Sequence, residues 1–157
     1  MDLKNRHRLK DKDVDKYFEH MQANLGDSPF EPGDGVDIAD CNDRRVLLID
    51  QEPLATFFDE EVFPTIQGLL KMDPSKRYVT VDMGAVKFVY NGADIMAPGI
   101  VDADESIEEG TMVWIRDEEH NKPLAVGRAM THGAEMKKSE IGKVIKSLHH
   151  VGDGMFE

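Results

Sequence analysis

The hydrophobic positions change period along the chain. Early on, Val14, Tyr17, Phe18, Met21 and Leu25 recur at helical spacing, which predicts an amphipathic helix with Asp11 or Asp13 as its cap and Gly26 just past its end. Residues 27–35 hold two prolines and two glycines and read as a loop. The next apolar runs are short. Val36 to Cys41, Arg44 to Asp50 and Leu54 to Phe58, separated by turn-forming Asn42-Asp43 and Gln51-Glu52-Pro53, predict a three-stranded meander. Asp59-Glu60-Glu61 ahead of Val62-Phe63-Pro64 suits the start of a second helix. Met72-Asp73-Pro74-Ser75 then breaks the pattern and marks a domain boundary, giving 1–74 and 75–157.

The second half repeats the alternation. Arg77 to Asp82 is rich in strand formers, and Asp82 can cap a helix over Met83–Asn91 whose packed face is Ala85, Val86, Val89 and Tyr90. Asn91-Gly92 supplies a left-handed stop. Asp94 to Ala97 reads as a strand ended by Pro98-Gly99. Ser106 to Gly110 is an acidic turn. Thr111 to Ile115 and Leu124 to Met130 read as strands, joined through the polar hairpin Asp117–Lys122. Ile141, Val144, Ile145 and Leu148 predict a helix over Glu140 to Leu148. The fold class is therefore α+β.

The N-terminus adds a pattern of another kind. Lys4, Arg6, Arg8 and Lys10 occupy alternate positions, so a strand would line them along one side, with Leu3 and Leu9 on the other. The stripe reads either as a solvated tail or as a surface facing RNA.

Charge constrains the partners. The 157-residue chain has a net charge of −12. Residues 1–74 carry 9 basic and 17 acidic residues, and residues 75–157 carry 10 and 14. Non-specific nucleic-acid binding needs many cations against phosphates, so any such contact must be local. No apolar run is long enough for a membrane span. The charged first residues lack the apolar segment of a secretory leader, and Cys41 is the single cysteine, which excludes an internal disulfide and fits a buried small hydrophobe. These features fit a cytoplasmic protein. No phosphate loop or dinucleotide fingerprint occurs. Zinc spacing is impossible with one cysteine, and the histidines at 7, 20, 120 and 132 are scattered. No serine or cysteine has an evident base, so neither catalysis nor a cofactor or metal is expected.

The segment Asp82-Met83-Gly84-Ala85, Asn91-Gly92-Ala93 and Ile95-Met96-Ala97-Pro98-Gly99-Ile100 resembles the PUA domain, an RNA-binding pseudo-barrel. Upstream, Phe63-Pro64-Thr65 and Leu69-Leu70 extend the likeness to the malignant T-cell-amplified-sequence family, most closely its archaeal members. The match is closest over residues 62–157. Over 1–61 the order of elements agrees more than the residues, and the closing Gly152-Asp153-Gly154-Met155-Phe156 lacks a tryptophan usual in that family.

The resemblance implies a small N-terminal α+β domain followed by a PUA domain, with His149 to Phe156 as its closing strand and tail. It also implies a non-catalytic RNA-binding protein of translation that contacts structured RNA, either tRNA or rRNA, on the small ribosomal subunit. An initiation-factor-like protein would have to come from a separate chain. Ribosome assembly, a protein-interaction adaptor and an RNA-modification role are the other readings. By the same resemblance the contact runs through the glycine loop. Gly92 and Ala93 would allow close backbone approach, and Asp94 would accept hydrogen bonds from a base or hold the loop. Ile95 and Met96 would bear on an unstacked base or pack. Lys87 would meet a phosphate, and Arg128 a second phosphate, a stacked base or a carboxylate.

Overall fold

The computed structural model describes residues 1–156. The chain divides into two compact units, Met1–Ser75 joined by the tail from Gly154, and Lys76–Asp153.

The first unit is a five-stranded antiparallel sheet in the order β1-β2-β3-β4-β5, with β1 Lys4–Arg8, β2 Asp37–Cys41, β3 Arg44–Ile49, β4 Glu52–Phe58 and β5 Glu61–Pro64. Its long helix α1, Asp11–Leu25, buries Val14, Met21 and Leu25, and Gly26 closes it in the left-handed region at φ 81°. Three two-residue hairpins build the meander. Asn42 and Asp43 both take positive φ, at 49° and 65°, the backbone hand that matches the twist of paired strands. Asp50 and Asp59 do the same at the next two turns, at 55° and 56°.

The acidic run at 59–61 is therefore a hairpin, not a helix start. Aspartate tolerates the left-handed conformation, and Phe63 and Val62 pair with Thr56 and Phe57. Pro64 ends β5, and the helix begins later as the single turn α2, Ile66–Leu69, capped by Thr65, whose hydroxyl accepts from Gly68 N. The meander thus has four strands, β2 to β5, rather than three, and β1 is the fifth strand of the sheet. Cys41 is buried, with Ala39, Val46 and Leu48, under Leu3 and Phe156.

The basic stripe is corrected here. Asn5 has φ 56°, and the β1–β2 register shifts between Lys4 and His7. Such a bulge breaks alternation. Lys10 lies outside the strand, at the N-cap of α1. Arg6 and Arg8 both donate through Nε to Asp37, each at 2.8 Å, and Arg6 reaches back to Asp50 O. Two of the four cations are thus engaged within the sheet.

The second unit is a six-stranded sheet in the order β7-β11-β10-β9-β6-β8. The strands are β6 Tyr78–Val81, β7 Ile95–Met96, β8 Ile100–Ala103, β9 Met112–Asp117, β10 Pro123–Ala129 and β11 Lys143–His150. β6 and β9 pair in parallel, and the other pairs are antiparallel. β7 and β8 stand at opposite ends of this order, yet only the 3₁₀ turn Ala97–Gly99 separates them. A flat six-stranded sheet would hold its edges roughly 24 Å apart, whereas the chain from Met96 to Ile100 reaches at most about 14 Å. The sheet must therefore curl into a pseudo-barrel. The turn is bonded at both edges: Ala97 N donates to Gly142 O at 2.8 Å, and Asp82 N donates to Gly99 O at 2.9 Å. Val79, Ile95, Ile115, Leu124, Met136 and Ile145 belong to the core it encloses.

β11 replaces the expected helix at 140–148. Gly142 takes φ 97°, Val144 and Ile145 are β-branched, and the segment pairs on both sides, with β7 and β10. Ile141, expected on a helical face, is 84% exposed. β11 ends at His150, so residues 151–156 are turns rather than a closing strand. The unit also holds a short helix, α4, Gly133–Met136. Asp117 staples the β9–β10 hairpin by accepting from the backbone N–H groups of Glu119, His120 and Lys122.

Asp37 provides the test of this fold at β1. The hydrogen bonds from Arg6 and Arg8 hold its carboxyl below the ordinary carboxylate range against the opposing effect of burial. Since the folded value lies below the unfolded one of about 3.9, its contribution is full above that pH and is lost as pH falls through the folded value. Asp37→Ala should destabilise the protein by about 1–2 kcal/mol at neutral pH, and by less in acid below the unfolded value, where the contribution in the wild type is already diminished. Urea unfolding at pH 7 and pH 3 reads this difference.

Candidate nucleic-acid interface

The helix α3, Met83–Tyr90, follows β6. Asp82 caps it, its side chain accepting from Ala85 N at 2.9 Å. Its far end closes as a Schellman motif. Gly92 N donates to Val89 O and Ala93 N donates to Phe88 O, both at 3.0 Å, with Gly92 at φ 83°. A Cβ on Gly92 would lie 2.9 Å from His150 Nε2. Glycine is needed here for curvature and for room, and its N–H is already committed to the helix end.

Between α3 and residues 93–99 lies a cleft of about 470 Å³, lined chiefly by apolar groups including Phe88, Ala93, Met96 and Pro98, with Asp82 and Asp94. Val89 is buried in the core and Ala85 and Val86 pack against it, but Tyr90 turns outward. Ile95 and Met96 separate cleanly: Ile95 is buried, whereas Met96 is 48% exposed. Asp94 holds the loop. It accepts from Ser147 N at 2.8 Å and pairs with Lys143 at 2.8 Å, and its carboxyl is lowered by the Lys143 hydrogen bond in particular.

Lys87 is exposed on α3, with its ammonium 5.1 Å from the centre of the Phe88 ring. Phe88 itself is 56% exposed and lines the cleft. This aromatic–cation pair suits a stacked base beside a phosphate. Phe88 was absent from the residues picked out by sequence, because within an apolar helix nothing distinguishes an outward phenylalanine from a core one.

Arg128 lies outside the cleft lining. On β10 it is the register partner of Lys146 on β11, and its Nη1 donates to Gly110 O at 2.8 Å. Lys143 in turn is the register partner of Met96. Lys143 and Lys146 thus add cations on the strand between Met96 and Arg128. Both fell inside the span expected to be helical, which hid them. No cluster of histidine, cysteine, aspartate or glutamate suited to a metal occurs among the described residues.

The class this fold and surface define is a PUA-domain protein: residues 77–151 match the PUA domain, and residues 5–72 match a family described as a domain of unknown function, DUF1947. The chain is 46% identical to the protein MJ1432 of Methanocaldococcus jannaschii, over 98% of this chain and 96% of that one. It is 32% identical to translation machinery-associated protein 20 of Saccharomyces cerevisiae, over 77% of this chain and 71% of that one. With malignant T-cell-amplified sequence 1 of Danio rerio it shares 30% identity, over 78% and 71%. It belongs to the family of these translation machinery-associated and malignant T-cell-amplified sequence proteins. A solved structure of a hypothetical protein from Pyrococcus horikoshii superposes with a TM-score of 0.83 at 34% identity, covering 94% of this chain and 95% of that one. A PUA-domain protein from Thermoplasma acidophilum gives 0.83 at 28%, covering 95% of each.

The loop end of α3 provides a second test. Gly92→Ala should cost about 1–2 kcal/mol, from the left-handed backbone and the contact with His150. The double variant Gly92→Ala/His150→Ala should recover part of that loss relative to His150→Ala alone. Thermal unfolding of the four proteins measures the coupling.

Proposed function

We propose that this protein is a non-catalytic RNA-binding factor of translation that contacts tRNA or small-subunit rRNA through its second unit, and so works in the cytoplasm. The observation that carries the reading is the exposed Phe88, with Lys87 over its ring, at the mouth of a cleft on a PUA domain. The names of the family's members associate them with translation machinery. The chain has excess negative charge, so affinity must come from a few cations placed together. Lys87 lies beside the aromatic platform, and Lys146 neighbours Arg128 on the adjoining strands. Met96 offers an exposed apolar contact at the cleft, and Ile95 serves the core. RNA ends and loops, whose bases are unstacked, suit such a site better than a duplex. The N-terminal stripe takes little part, since Arg6 and Arg8 are spent on Asp37.

A second reading gives the cleft to an apolar segment of a separate, initiation-factor-like protein. What favours it is that the cleft lining carries two carboxylates, Asp82 and Asp94, amid apolar groups.

Lys87→Glu combined with Lys146→Glu should weaken binding of tRNA or of an rRNA fragment at least tenfold and flatten its salt dependence. Phe88→Ala should cost about 1–3 kcal/mol of RNA affinity with the fold intact by circular dichroism. Fluorescence anisotropy with labelled RNA checks both. Full affinity in both variants would remove RNA from this surface, and loss of a partner peptide in Phe88→Ala alone would favour the second reading.

A further inference from the structure

The first unit carries a separate concavity of about 630 Å³ between α1 and the β3–β5 side of its sheet. Its floor is an aromatic corner: the Tyr17 and Phe57 rings lie 5.4 Å apart at 76°. Both rings are half-buried and come from different elements, so the corner is fixed before anything binds. Two exposed cations stand over the rings. The Arg45 guanidinium sits 4.9 Å from the Phe57 centre, and the Lys16 ammonium 5.8 Å from that of Tyr17. The carboxylates are not committed. Glu19 and Glu60 line the same concavity, both are exposed, and neither is held in an ion pair among the described residues.

We infer that this corner docks a basic peptide segment of a partner protein, in which a lysine or arginine is flanked by an apolar residue. Two ring planes near a right angle fit an aliphatic side chain or the stem of a long cationic one, whose head then reaches Glu19 or Glu60. Tyrosine, aromatic and arginine groups around a preformed recess are the composition of interface anchors. Charge selects the partner class: residues 1–74 hold 17 acidic residues against 9 basic, which repels a phosphate backbone and attracts a cationic segment. The site is independent of the RNA reading, which rests on the other unit.

The test uses the full chain and a short fluorescein-labelled peptide with a Leu-Arg-Leu centre in a glycine–serine background. Its controls are the Leu-Glu-Leu counterpart and a labelled oligouridylate. The Arg peptide should bind and the Glu peptide should not, and Glu19→Lys/Glu60→Lys should weaken the Arg peptide at least tenfold. Tyr17→Leu should weaken it severalfold without altering net charge. The charge-matched control Glu118→Lys/Glu119→Lys, on the exposed β9–β10 hairpin, should leave affinity within twofold. Equal losses in both charge-reversal variants would reduce the effect to net charge and overturn the proposal. So would loss in Phe88→Ala, which would put the peptide in the other cleft, or oligouridylate binding that Lys16→Glu/Arg45→Glu abolishes, which would make the surface a nucleic-acid site.

Discussion

The second unit depends on one short constraint. Three residues, Ala97–Gly99, span the ends of a six-stranded order, and their backbone bonds to Gly142 on one side and Asp82 on the other seal the curl. Two of them, Pro98 and Gly99, also line the cleft. Closure and site are therefore one feature: a longer turn would relax the barrel and open the cleft together. Gly99 belongs to this economy, since a Cβ there would meet Ala85 at 3.1 Å, pushing α3 away from the wall it faces.

Charge is distributed by local neutralisation rather than by a basic face. Asp37 absorbs Arg6 and Arg8, Asp94 absorbs Lys143, and Lys137 is held by Asp102 and Glu105. Among the exposed lysines of the second unit, Lys87 stands over its ring and Lys146 beside Arg128. In a chain of net −12, an extended nucleic-acid duplex would meet repulsion over most of the surface, whereas a loop or end could reach a few clustered cations.

The sequence was legible where local chemistry and period agreed. The α1 helix, its Gly26 stop, the Asp82 cap and the Gly92 closure each rest on one residue's own conformational preference. It was illegible where tertiary pairing overrode the period. Ile141, Val144, Ile145 and Leu148 have helical spacing, but β11 lies between β7 and β10, and two rows of strand hydrogen bonds outweigh a helix interrupted by Gly142. The acidic trio at 59–61 misled for a related reason: aspartate serves helix starts and left-handed hairpins alike, and only strand pairing downstream decides. At the site, Gly92 and Lys87 stood out by type, whereas Phe88 acquires its meaning only from exposure.

The two surfaces differ in which carboxylates are engaged: Asp82 caps α3 and Asp94 pairs with Lys143, whereas Glu19 and Glu60 are held in no ion pair among the described residues. In the second unit, Lys87 stays exposed over the ring that would take the base, so cation and platform face the same ligand. In the first, Arg45 and Lys16 are also set against rings, but the exposed carboxylates Glu19 and Glu60 share the recess. An identical pairing of aromatic and cation thus reads differently according to the neighbouring charges. A phosphate approaching the first recess meets two carboxylates beside the two cations, amid an acidic unit, and a cationic side chain meets two acceptors and an apolar corner. The two proposed sites thus have opposite charge selectivity, one for a phosphate and one for a cationic side chain.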